Sequence, residues 1–481
     1  VISAARETAE EKGYSGKWVF TIQKPSLIPF LQYSPRRELR EKMFKANIMK
    51  GDQNDELDNN KILSRMAALR VKKANLLGYQ THAHFILERN MAKIPENVIN
   101  LLDQLWTPAL KRAKAEANML QEMIDAEGGD FRLAPWDWWY YAEKVKKAKY
   151  NLDEEALRPY FQLENVRQGA FSVAGKLYGL TFEKRSDIPK YHEDVETFEV
   201  KDADGSLIGI LYTDFFPRES KRGGAWMSNF REQYKQAGEN IRPVIVNVGN
   251  FSKPTEGKPA LLSLEEVETL FHEFGHALHG LLSQCTYPSL SGTNVCRDFV
   301  ELPSQIMENW AEAPEVMKGY ALHYQTGQPI PDELVQKIQN ARLFNQGFAT
   351  VEYLAAAYLD MDWHTLTDTT QRDANVFENA SLQKTGLIPE IVVRYRSPYF
   401  NHIFSGGYSA GYYSYIWAEV LDADAFQAFK DSGDLFNPDL ASAFREFILE
   451  AGDTDDPMTL YKKFRGREPK IDAILVNRGL I

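Results

Sequence analysis

The sequence has 481 residues, 44% of them hydrophobic and 26% charged, with a net charge of −11; it is long enough for a large core and ordinary in composition. Such an acidic balance excludes a nucleic-acid surface built on phosphate neutralisation, and no run nears the roughly 18 uninterrupted apolar residues of a membrane helix. Two cysteines, Cys285 and Cys296, exclude a disulfide framework and fit a reducing compartment, so a cytoplasmic setting is expected.

The chain opens on VISAARETAEEKG, polar from its third residue and without Met, so no secretory signal is expected there and the natural start is expected to lie elsewhere. Helical periodicity then dominates. Residues 35–90 read as helix, and Val98, Leu101, Leu102, Leu105 and Trp106 recur three and four apart. The aromatic run PWDWWYYAE (135–143) reads as core or as a cavity wall. Helix is again expected over 153–178, 303–325, 333–365 and 438–450, the last bracketed by Pro438 and Gly452. One region breaks the pattern. VETFEVKDADGSLIGILYTDFF (195–216) has two β-rich runs around Asp204-Gly205, a hairpin signal, and PVIVNVGNF (243–251) adds a strand. The fold class expected is mainly α, with one small β-sheet just upstream of the next motif.

That motif is H-E-x-x-H, in SLEEVETLFHEFGHALHGLL (263–282). Ser263 followed by Glu266 is a capping box, so a helix starts there and carries it. On that helix His272 and His276 lie one turn apart on one face and can converge on one ion. Glu273 is rotated by about 100° from His272, beside the ion rather than on it, where it can take a proton from water. Chance supplies on the order of 0.01–0.02 such matches in a chain with nine His, so the pattern implies one zinc ion per chain. Zinc that keeps an open position needs a third protein ligand. His279 is too far along the helix from His272 and reads as a packing or supporting residue. RDFVELPSQIMENWAEAPE (297–315) offers Glu301 and Glu308, seven apart, one to ligate and one to support a histidine; spacing alone leaves them tied. Glu268 is either a further supporting residue or a surface glutamate.

HEFGHALHGLL, SGTNVCRDFVELPSQIMENW, DFFPRESKRGGAW (214–226) and FNHIFSGGYSAGYYSYIWAEV (400–420) together resemble the thimet-oligopeptidase family of zinc peptidases, through essentially the whole chain. The resemblance is closest to the family's bacterial peptidyl-dipeptidase branch. It implies Glu301 as third ligand, beside His272 and His276. It also implies that His402, Tyr408, Tyr412 and Tyr415 lie over the metal: Tyr408 and Tyr415 as donors to an oxyanion, His402 as a further catalytic group and Tyr412 as a substrate contact. The Ser405-Gly406-Gly407 stretch reads as a flexible segment that lets Tyr408 swing. Family members have two helical lobes flanking a deep channel that admits short unstructured peptides, and a further N-terminal helical segment that is absent from this sequence. The small sheet would offer an edge for an extended peptide.

One catalytic region is therefore expected over 1–481: helical at 1–190, sheet at 191–255, zinc-site helices at 256–325, and a helical lobe with the Tyr/Gly-rich loop at 326–481. The function implied is hydrolysis of short peptides with release of C-terminal dipeptides. An endo-acting oligopeptidase and a non-catalytic peptide-binding fragment are the alternatives. Dipeptide release calls for an anchor for the substrate's terminal carboxylate; Arg394 and Arg396 lie near the loop in sequence, and the anchor stays unassigned. Neither nucleic acid, membrane nor an obligate protein partner is expected.

Overall fold

Apolar residues recurring three and four apart bury one stripe of each helix, and the computed structural model is accordingly helical with one small sheet. It describes all residues except 1, 23, 153–155, 219, 252, 255 and 256. The helices that carry the argument are α1 (Pro95–Ala126), α2 (Pro135–Tyr150), α3 (Leu163–Tyr178), α4 (Leu264–Leu282), α5 (Leu302–Glu312), α6 (Gln346–His364) and α7 (Ser414–Ser432). The chain forms two compact units from non-contiguous stretches: Val1–Leu152 with Asn340–Tyr413 and Arg478–Ile481, and Asp153–Gln339 with Ser414–Asn477.

In the first unit the expected helix over 35–90 is three pieces, Arg37–Ile48, Asn60–Leu76 and His82–Leu87. Val98, Leu102 and Leu105 of α1 are fully buried, and α1 packs along α6. The buried Glu116 carboxylate of α1 accepts the N–H groups of Gly347 (3.0 Å) and Phe348 (2.8 Å), which satisfies donors that the start of α6 leaves open. The aromatic run forms the first turns of α2, with Trp138 and Tyr141 in the core and Trp136, Trp139 and Tyr140 half-buried. Trp138 is buried and its indole N–H donates to Asn345 Oδ1 at 2.8 Å, while Asp137 pairs with Arg37 and Arg40. Helix over 333–365 is interrupted at Asn345, whose φ is +61°.

The second unit holds the sheet. Its strands are β1 (Thr181–Arg185), β2 (Glu196–Lys201), β3 (Leu207–Asp214), β4 (Trp226–Arg231), β5 (Tyr234–Gln236), β6 (Glu239–Ile241) and β7 (Val244–Val248). Among the described residues five of them order as β1-β2-β3-β7-β4, and β5-β6 make a separate ribbon. The expected hairpin is β2–β3. Gly205 takes φ +81° in its turn, where a Cβ would be strained. β3 and β7 pair in parallel, Ile210 opposite Val244; the other pairings are antiparallel. The sheet thus begins upstream of the expected 191–255, at β1, and gains β4 as its far edge. One face of β3, β7 and β4 is covered by α4, and α5 packs on α4.

Candidate metal centre

Helix α4 starts where the sequence places it. Ser263 Oγ accepts the Glu266 N–H at 3.2 Å, and Glu266 Oε2 accepts the Ser263 N–H at 2.7 Å. Its inner face is almost continuously apolar, which seats it on the sheet. Asn247 of β7 donates its amide to the Glu273 carbonyl at 2.7 Å, fixing the helix lengthwise. On the opposite side Gly275 lets α5 come close: a Cβ there would lie 2.2 Å from the Pro303 carbonyl oxygen and 2.6 Å from Ser304 Cα. That approach brings the start of α5, with Glu301, onto the histidine face.

His272, His276 and Glu301 offer ligand atoms that all lie within 4.8 Å of one another. His272 Nε2 is 3.4 Å and His276 Nε2 3.2 Å from the same Glu301 oxygen, Oε2. Ligands at about 2.0–2.1 Å from a tetrahedral zinc are spaced by about 3.3 Å, so two imidazoles and one carboxylate at these separations fit such an ion. Ser304 Oγ holds Glu301 Oε2 at 3.1 Å. His272 Nδ1 is 2.6 Å from Glu308 Oε1; a carboxylate accepts, so Nδ1 carries the proton and Nε2 keeps its lone pair for a cation. Burial opposes charge on His272, yet Glu301 and Glu308 outweigh it and raise its pKa well above the usual range, so a cation bound at Nε2 competes with a proton there. Burial likewise works against the Glu301 carboxylate, and His272 and His276 reverse the effect and hold its pKa well below the ordinary value.

Glu273 lies beside this group. It is buried, and Oε2 has no hydrogen-bond partner among the described residues. Burial pushes its carboxyl up. His279 is fully buried, with both ring nitrogens unpartnered among the described residues, and burial depresses it to about 3; it is a neutral packing residue. Glu268 is not a surface glutamate. It is half-buried, and burial and the neighbouring carboxylates, Glu312 first, raise its pKa well above the ordinary carboxyl value.

The structure groups His402, Tyr408 and Tyr412 in the first unit. The His402 ring centroid lies 6.0 Å from that of Tyr408 and 5.4 Å from that of Tyr412. Tyr412 is buried, while residues 405–407 form an exposed tip. Tyr415 opens α7 in the second unit, where its carbonyl accepts from Gln305 Nε2 at 3.2 Å. Arg396 is tied to Asp52 and Glu378 at 2.8 Å each and is structural; Arg394 is 41% exposed with Glu352 4.0 Å away. Sequence reasoning did not reach Ser304 or Asn247, since neither residue type nor spacing marks a support of this kind.

The model of peptidase family M3 matches residues 30–480. Dipeptidyl carboxypeptidase of Escherichia coli is 45% identical over 482 aligned positions, which cover 100% of this chain and 70% of that protein. Oligopeptidase A of the same organism is 39% identical over 487 positions, covering 100% and 71%. Among solved structures, a Pyrococcus furiosus carboxypeptidase matches with a TM-score of 0.50 at 13% identity, over 95% of this chain and 80% of that one, a likeness of fold alone.

Proposed function

The chain belongs to peptidase family M3, a family of metallopeptidases, and from that premise we propose that it hydrolyses short peptides with one zinc ion held by His272, His276 and Glu301, releasing dipeptides from the C-terminus. The observation that carries the metal reading is the convergence of both Nε2 atoms on one Glu301 oxygen, at 3.4 and 3.2 Å. When bound, the ion supplies positive charge that acidifies water and polarises a carbonyl oxygen.

The remaining work falls to side chains. Glu273 takes a proton from the attacking water and returns it to the leaving amine. Glu308 keeps the His272 tautomer, and Ser304 orients Glu301. Tyr408 and Tyr415 donate to the oxygen on which negative charge develops, assisted by His402, and Tyr412 contacts the substrate. β4 is an edge strand of the sheet, and an extended peptide adds along it, taking main-chain hydrogen bonds from a ready-made ladder. No helix of the described residues is long and apolar enough to cross a membrane. The two cysteines, Cys285 buried and Cys296 half-buried, form no disulfide among the described residues and suit the cytoplasm, where we place the protein.

The 45% identity to a dipeptidyl carboxypeptidase favours dipeptide release; the 39% identity to an oligopeptidase A keeps endo-cleavage as the second reading. Metal analysis with mass-spectrometric product mapping on a peptide series tests both. The expected result is one zinc per chain, successive loss of C-terminal dipeptides, no cleavage of C-terminally amidated peptides, and no activity after chelation. Internal cuts in amidated peptides favour the second reading. Bound zinc without any hydrolysis leaves only a peptide-binding protein. In the same assay Glu273→Gln is expected to keep its metal and lose at least about 100-fold in kcat; near-wild-type turnover would remove Glu273 as the base.

A further inference from the structure

Asp360 lies in α6 and is fully buried. A buried carboxylate is costly unless donors surround it, and here the donors come from the tyrosine-bearing loop. Oδ1 accepts the N–H of Ala410, and Oδ2 accepts the N–H groups of Gly411 and Tyr412, all at 2.9 Å. Three successive backbone donors aimed at one anion form a concave anion cradle, filled from within by a side chain of the same unit. The cradle holds Ala410 at φ +50°, a left-handed conformation that an L-residue with a Cβ adopts only under constraint.

A second layer fixes the carboxylate. His364, one turn along α6 and fully buried, places Nδ1 at 2.7 Å from Asp360 Oδ1, and Arg70 Nη1 is 2.8 Å from His364 Nε2. Arginine only donates, so Nε2 accepts and Nδ1 carries the proton that binds Asp360. Arg70 Nη2 also donates to the Phe404 carbonyl at 3.3 Å, and His82 Nε2 lies 3.0 Å from Ser409 Oγ. The Tyr353 hydroxyl donates to the Tyr412 carbonyl. The segment is therefore tied at Phe404 and again from Ser409 to Tyr412, while 405–407 stay exposed.

We propose that Asp360 is a positioning residue of the peptidase reaction: through its hydrogen bonds to the backbone of residues 410–412 it sets the loop conformation that presents Tyr408 to substrate. This rests on the role given above to that tyrosine. Packing alone does not account for a carboxylate here, since an apolar residue would fill the helix without a charge to compensate. His364 and Arg70 act one and two steps further back, by orienting the carboxylate.

The test is Asp360→Asn in the full chain, with kcat, KM, bound metal and Tm measured. Either orientation of the amide turns an N–H2 toward at least one backbone N–H, so the cradle loses an acceptor while volume is kept. The expected result is a kcat lower by about 10–100-fold, less than the roughly 100- to 1,000-fold of an oxyanion donor lost outright, with KM within about threefold and metal content unchanged. Tyr408→Phe and the double variant Asp360→Asn/Tyr408→Phe separate this from a general loss of fold. If Asp360 acts through Tyr408, the double variant falls no further than Tyr408→Phe alone. Losses that multiply, or an Asp360→Asn variant with lower Tm and wild-type kcat, would overturn the proposal. Wild-type kcat in Tyr408→Phe removes the tyrosine reading beneath it, and the proposal with it. Should Asp360→Asn fail to fold, His364→Gln keeps an acceptor for Arg70 and removes the N–H to Oδ1. A three- to tenfold lower kcat is then expected, about a weaker form of the same loss, and an unchanged kcat overturns the proposal equally.

Discussion

His272 can offer Nε2 to a cation because Glu308 accepts the hydrogen bond that Nδ1–H donates at 2.6 Å. Removing that acceptor frees the ring to turn and to change tautomer, so Glu308→Ala is expected to weaken metal binding by about 10–100-fold, read as release to a competing chromophoric chelator. Unchanged affinity would show that the ring is held by packing alone. Spacing left Glu301 and Glu308 tied because both suit one helical face; the structure separates them by a break in the helix. Glu301 is the turn residue between the short helix Arg297–Val300 and α5, where its carboxylate meets both histidines, while Glu308 lies within α5. A chain break of that kind has no periodicity to betray it. Asp360 and His364 left a faint signal, an acid and a histidine four apart within the apolar stretch of α6, which reads as an ordinary i,i+4 pair until the loop that donates to it is seen.

Helices were legible as elements wherever one stripe is buried, and so was the start of α4, where both partners of the capping box lie within one turn. The hairpin β2–β3 showed through its Asp204-Gly205 turn. β1 and β4 did not. TFEKR in β1 and WMSNFR in β4 lie at the two sheet edges, mostly exposed or half-buried, and carry no alternation of apolar and polar residues. The contact between α4 and α5 is likewise invisible in a sequence, because a glycine does not announce what will approach it. Gly275→Ala puts a Cβ against the Pro303 carbonyl, and backbone cannot step aside as a side chain can. The helices must separate, at a cost of about 1–3 kcal/mol, carrying Glu301 away from the histidines. We expect a lower Tm together with less than one metal per chain; a variant with full metal content would place the tolerance of this contact above what its geometry allows.

Across the molecule, acid sensitivity has one well-defined contributor at the end of β3. Burial alone would raise Asp214, but Arg218, Lys221 and Tyr191 hydrogen-bond to it and bring it down to about 2. A carboxyl depressed on folding stabilises the native state above its unfolded pKa of about 3.9 and loses that contribution as pH falls through the folded value. The urea midpoint of the wild type should therefore exceed that of Asp214→Asn by a constant margin above about pH 4, and the margin should close as pH falls toward about 2. A margin that widened in acid would contradict the assignment.

The parallel pairing of β3 with β7 bears on the order of assembly. β2 and β3 meet across a tight turn, whereas Ile210 finds Val244 only after the whole intervening chain, β4 to β6 included, has been looped back. Closing so long a stretch forfeits freedom before any contact repays it. β7 is also the strand whose Asn247 tethers the carbonyl of Glu273, the proposed general base. The helix that carries the metal-ligating histidines is thus fixed lengthwise by a strand that is itself seated through a non-local pairing, so a change that loosens the β3–β7 ladder is expected to be felt at the metal centre.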